Sequence, residues 1–312
     1  ALSIVNMGTI RASLPDGMFG DFDDSIGLDN RGDLIVESGS SFTHEDGTVR
    51  STGSIEIRHG GTFTTRMDDL EILGGSLIVD GDFVKDGLGN VVVQDGLVRV
   101  NGNARVFGRT AVFNVFGGRV TGGGEIGTVN LNDVSTLAPG DGIGTMLVAE
   151  VSHVPGATLE IEIGGTTPGI GHDQLRTSAY INPFGSTLSV SLVGGFQPQA
   201  GDRFVVVAGD TSDFGFIFAP FDDLDLPDIA PLAWRLDYPM TDYGDGIVLM
   251  SSVELVAVCA ADLTGDTIVD IFDLVAFVGL LQAGDPGADW DANGVIDIFD
   301  LLAFLGDFKG GC

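Results

Sequence analysis

The sequence predicts a mainly β chain: a right-handed parallel β-solenoid with a β-rich cap, followed by a small α-helical calcium-binding module. Three observations carry this reading. Short strands rich in Val, Ile and Thr are punctuated by 48 glycines. Those strands recur with a period of about 21 residues. Near the C-terminus, two oxygen-rich loops of one design each run into an apolar helical stretch.

The repeat is clearest from residue 30 to 150. Gly32 to Val36, Gly53 to Ile57, Gly75 to Val79 and Gly96 to Val100 start 21, 22 and 21 residues apart, and Gly117 to Val120 continues the series. Val49, Leu70, Val91 and Val112 form a second set in phase with the first. A turn of this length cannot bury its own apolar face, so each must stack on the next. Alternation places Ile55 and Ile57 inward and the charges of Glu56 and Arg58 outward. The glycines are expected where the coil turns with positive φ.

Capping is needed at both ends, because an open stack leaves bare core and unpaired edges. Residues 1–29 are expected to cap one end. Residues 151–257, whose strands lengthen and lose the clean period, are expected to form wider terminal coils or a β-sandwich-like cap. The acidic, Pro-containing stretch 219–228 reads as a surface loop.

Residues 258–312 hold the two loops. The first offers Asp262, Thr264, Asp266, the carbonyl of Ile268, Asp270 and Asp273; the second offers Asp289, Asp291, Asn293, the carbonyl of Val295, Asp297 and Asp300. Oxygen ligands at positions 1, 3, 5, 7, 9 and 12 are the spacing at which a tight loop wraps a hard cation. Two Ca²⁺ sites are therefore expected. Thr264 is neutral and Thr267 stands where a turn glycine is preferred, so the first loop is expected to bind more weakly.

Each loop enters a helix, Leu274 to Val278 and Leu301 to Leu305, with no matching helix before it. This duplicated loop-then-helix unit resembles the dockerin family, calcium-folded modules that anchor a protein to a cohesin-type partner. The resemblance implies that Ile271, Phe272, Ile298 and Phe299 form the partner surface, where the family often has small polar residues. Their near-identical settings imply two equivalent faces. The repeats over residues 30–150 similarly resemble the β-helices of autotransporter-like and planctomycete surface proteins.

Cys259 and Cys312, the only cysteines, bracket the module. In an exported chain such a pair argues for one disulfide, worth about 4 kcal/mol by loop entropy. The alternative is that Cys312 serves as an attachment point.

Composition limits the function classes. A net charge of -31 removes the basic footprint that nucleic acid requires. No apolar run reaches the ~20 residues of a membrane helix, so membrane insertion is not expected. A start at Ala1, the calcium loops and the cysteine pair together point to secretion, to the cell surface or the extracellular space.

The expected function is structural or adhesive, with no enzyme activity. The tail attaches the chain to a cohesin-like protein or to another copy of itself, head to tail, with cell-surface polysaccharide as a further partner class. The alternative is a polysaccharide-active enzyme or carbohydrate-binding protein delivered by the tail. Its candidate carboxylates are Asp21, Asp23, Asp24 and Asp29, or Asp222, Asp223 and Asp225. Turns this short leave little chain to wall a groove, and both groups read as solvated acidic loops or a weak extra calcium site. His44, His59, His153 and His172 lack metal-ligand spacing and are expected to be exposed.

Overall fold

The computed structural model describes residues 2–13, 17–19, 26–66, 68–107, 112–132, 134–153, 155–210, 212, 215–266 and 268–310. Asp21, Asp23, Asp24, Thr267 and Cys312 lie outside the described residues, as does the side chain of His153. The chain is mainly β, with parallel sheets and two C-terminal helices.

Parallel pairing follows directly from the repeat. The strands Asp33–Val36, Ser54–Ile57, Ser76–Val79, Leu97–Val100, Arg119–Gly122, Thr136–Pro139 and Thr158–Ile163 pair in order within one sheet of ten strands. Residues at equal phase meet, so Leu34, Ile55, Leu77, Val98, Val120, Leu137 and Leu159 make one buried column. A second column joins Leu28, Val49, Leu70, Val91, Phe113, Val129, Val151, Ile181 and Ile217. Phe42, Phe63 and Phe83 make a third, with ring centroids 5.4 and 5.8 Å apart. Such tilted ring pairs contribute about 0.5–1.5 kcal/mol each beyond their burial.

Some interior polar residues find their partners through the same stacking. Asn6 Nδ2 donates to Asn30 Oδ1 at 2.7 Å, and Asn30 Nδ2 donates to Ser51 Oγ at 2.9 Å. Lys85 breaks the expected outward placement of charge, being fully buried. Its stem packs inward while its ammonium donates to the carbonyls of Leu88 and Asp86. Burial lowers its pKa, with Asp69, Asp68 and Asp86 opposing the shift. His44 and His172 are also buried rather than exposed; His59 is exposed as expected.

Four further sequence expectations need correction. Phe113, and not Val112, continues the Val91 column, because that turn is one residue longer. Residues 2–12 do not fold over the end as a cap. Leu2–Asn6 and Thr9–Ala12 pair in parallel with Ile26–Asn30 and Asp33–Val36 as one more turn of the stack. Within the stretch 219–228, Asp223–Asp225 is a strand paired with Thr187–Leu192.

The fourth concerns the glycines that start each repeat. Gly32, Gly53, Gly75 and Gly96 do not have positive φ, whereas Gly117 and Gly118 at the fifth start do, with φ of 71° and 82°. The first four are required by close approach of successive turns: a Cβ on Gly53 would lie 2.0 Å from the Gly32 carbonyl oxygen, and one on Gly75 2.2 Å from that of Gly53. Gly53→Ala must therefore push two turns apart, and is expected to cost about 1–3 kcal/mol. Thermal or urea unfolding of the variant checks this.

At Glu125–Asn132 the architecture changes. This single strand pairs with both Asn103–Phe107 and Phe113–Phe116, merging two strands of each earlier turn into one. The longer strands Thr145–His153 and Gln174–Asn182 continue the parallel stack. Antiparallel strands then close its end: Ser252–Cys259 lies between Arg203–Gly209 and Leu232–Asp237. Phe204 fills the interior there, edge-on to His172, Phe196 and Trp234.

Candidate metal centre

The strand ending at Cys259 leads into the first loop, then α1 (Ile271–Ala283), the second loop and α2 (Ile298–Gly310). These helices have their own small core, separate from that of the sheets. Ala261, Phe277, Ala288 and Phe304 are fully buried, and the Phe277 and Phe304 rings stack face to face at 4.2 Å. Trp290 packs edge-on against both, and its Nε1 donates to Asp307 Oδ2 at 2.9 Å.

The two loops use the same hydrogen bonds at the same positions. Asp273 accepts from Thr264 N and Asp270 N, both at 2.8 Å; Asp300 accepts from Asp291 N at 3.2 Å and Asp297 N at 2.7 Å. Asp270 and Asp297 accept from the backbone of Phe272 and Phe299, so each begins its helix as a side-chain cap. Asp266 and Asn293 likewise accept from Ile268 N and Val295 N. Asp262 and Asp289 Oδ1 accept from Asp266 N and Asn293 N.

Asp273 and Asp300 are fully buried anions. Burial alone would raise the Asp273 carboxyl, but the N–H groups of Asp270 and Thr264 outweigh it and hold the pKa below its ordinary value. For Asp300 the Asp297 N–H is the largest cause of the same downward shift, followed, after opposition from burial, by that of Asp291.

Asp289, Asp291 and Asp300 bring one carboxylate oxygen each within 4.8 Å of one another. Oxygens on a shell of radius ~2.3–2.6 Å are at most about 4.6–5.2 Å apart, so the three can hold a metal ion. The first loop gives no such three-carboxylate group among the described residues. Thr264 takes the place of Asp291, leaving Asp262 and Asp273. Asp262 also lines, with Arg203, Arg235 and Ile268, a cavity of about 580 Å³ where the last strand enters the loop. Asp237 raises the pKa of Arg235 most, and Asp262 adds to it; that guanidinium opposes a second cation at the loop.

The four residues named from sequence for a partner are exposed and belong to a larger set of exposed apolar side chains. Ile268, Ile271, Phe272 and Val275, and their counterparts Val295, Ile298, Phe299 and Leu302, are all between 57% and 65% exposed. Within each set the spacing is that of one helix face and the turn before it.

Outside the tail, Asp222 accepts from Gly185 N and Asp225 from Ser189 Oγ at 3.0 Å, while Asp29 pairs with Arg31 at 2.6 Å. Sequence reasoning missed Asp173, which lies at a cavity of about 460 Å³ lined also by Arg99, Arg119, Asp141, Glu160 and Glu162. Its oxygens accept from Gly144 N and Glu162 N, both at 2.8 Å. Arg99 pairs with Asp141 and Arg119 with Glu160, so four of these charged groups are engaged with one another.

Burial pushes the Asp173 carboxyl up to about 7, against the pull of its two backbone donors. The folded state therefore holds a proton that the unfolded chain, near 3.8, has lost. Stability from this group is full below that lower value and falls as pH rises through the window to about 7. Asp173→Asn is expected to flatten that slope, as measured by thermal midpoints across the window.

No protein-family model matches the chain, and no curated protein matches it. No described helix is long and apolar enough to cross a membrane. Function is therefore read from these residues.

Proposed function

We propose that the chain is an extracellular structural or adhesive protein, a right-handed parallel β-solenoid whose dockerin-like tail folds on calcium and attaches it to a partner. The observation that carries this reading is the duplication in the tail: two loops with one hydrogen-bonding plan, each followed by an exposed apolar helix face. Oxygen-only ligands in a twelve-residue loop suit calcium among hard cations. The second loop, with Asp289, Asp291 and Asp300 converging, is the tighter site. The first binds through Asp262, Thr264, Asp266, Ile268, Asp270 and Asp273. Cys259 pairs with Cys312 to tie the module's ends.

Exposed Ile and Phe side chains at equivalent places call for a buried partner. That partner is a cohesin-like protein, or the opposite end of another copy, which would repeat head to tail into a fibre. Bound calcium offsets part of the repulsion between chains of net charge -31. Sedimentation and negative-stain imaging in calcium, in chelator, and with Phe272→Asp plus Phe299→Asp test this. Calcium-dependent assembly or partner capture that the double substitution removes is expected. Monodisperse monomers in calcium that capture no cohesin-type protein would overturn it.

A further inference from the structure

One outward-facing column of side chains changes chemistry along the stack. After Val5 it runs through Asp29, Arg50 and Glu71, with Arg50 paired to Glu71 at 2.6 Å. Past Val92 it continues as Asn114, Asn130, Ser152 and Asn182, all neutral amides or hydroxyls. Asn130 Nδ2 donates to Asn114 Oδ1 at 3.0 Å. In the adjacent outward column Thr128, Glu150, Tyr180 and Phe216 lie side by side, and the last two rings are stacked at 6.0 Å and 28°. Phe184 and Phe218, following Asn182 and Ile217 in the chain, are 61% and 66% exposed. Beyond Val92 the two columns contain a single charged group, Glu150, on a chain of net charge -31.

We propose that this surface is a binding platform for a neutral polysaccharide. Ring faces suit the C–H face of a sugar ring, and amide and hydroxyl side chains both donate to and accept from its hydroxyls. Neighbouring strands are ~4.8 Å apart, so a glycan lying across them meets the same kind of hydrogen-bonding group at each strand, close to the repeat of an extended sugar chain. A protein partner docking flat here would desolvate the Asn and Ser column, which costs free energy unless every group finds a partner. A layer of sugar hydroxyls meets that demand without special fit. Beyond Val92 the two columns hold no cationic side chain, and their one charge is the anionic Glu150, which argues against an acidic glycan. The platform is independent of metal binding by the tail.

The test is native affinity electrophoresis of the full chain through gels containing hydroxyethyl cellulose, xyloglucan or galactomannan, with polygalacturonate as the anionic comparison. Retardation is expected in at least one neutral gel and not in polygalacturonate. Phe184→Ala with Phe218→Ala should weaken binding about tenfold or more, while circular dichroism and the thermal midpoint stay unchanged because both rings are exposed. Should the pair fail to fold, Phe218→Ala alone serves, with a smaller expected loss. No retardation in any neutral gel, or retardation that survives the substitutions, would overturn the proposal. So would self-association without glycan that the same substitutions abolish, which would assign the face to contacts between copies.

Discussion

Asp300→Ala is expected to abolish cation binding at the second loop while leaving the first loop's weaker site in place. The side chain does two things at once. It contributes one of the three converging carboxylate oxygens, and it accepts from the backbone of Asp291 and Asp297. Loss of an outer-shell partner typically costs ~10–100-fold in metal affinity; loss of a direct ligand that also shapes the loop should exceed that. Asp273→Ala is the matched control, since it accepts from Thr264 and Asp270 in the same way. Isothermal titration with calcium should show the tight phase missing in the first variant and the weak phase missing in the second. The same phase lost in both would mean that the two loops form one site.

The second large effect belongs to the tail's core. Phe304 is fully buried, stacked on Phe277 at 4.2 Å and met edge-on by Trp290 at 5.1 Å. Phe304→Ala removes the centre of that cluster, and such truncations cost about 3–5 kcal/mol. At roughly 0.05–0.15 kcal/mol per residue a module this small holds only a few kcal/mol in all, so the substitution is expected to unfold it. The sheet core is a separate cluster and should persist. Calorimetry of the variant should lose one transition and keep the other; loss of both would show that the cores unfold together.

Much of this was legible in the sequence, for physical reasons. In-register parallel stacking places like residues over like, so Leu34, Ile55, Leu77, Val98 and Val120 announce their column by interval alone. The interval hides a one-residue insertion, which is why Phe113 and not Val112 takes the place over Val91. It also hides the merging of two strands at Glu125–Asn132, because a strand that turns a corner and one that runs straight have similar composition.

Glycine positions were legible, but at Gly32, Gly53, Gly75 and Gly96 their cause was not. Contact between successive turns, and not backbone sign, forbids a side chain at Gly53. Lys85 was hidden because its ammonium is satisfied by carbonyls at a corner, invisible to a period-2 pattern. In the tail, the oxygen spacing picked out two loops that share one hydrogen-bonding plan. The geometry adds that Thr264 leaves the first short of a third carboxylate, and that the apolar faces extend to Ile268, Val275, Val295 and Leu302. Asp173 carried no local signal, since its burial depends on strands distant in the chain.

The central claim is that calcium folds the tail, because metal held by loop ligands is folding free energy. Amide hydrogen exchange of the full chain, with calcium and with chelator, tests it most directly. Protection in Ile271–Ala283 and Ile298–Gly310 should be strong in calcium and lost on chelation, while strands such as Ser76–Val79 keep theirs. Equal protection of both helices with and without calcium would contradict the account.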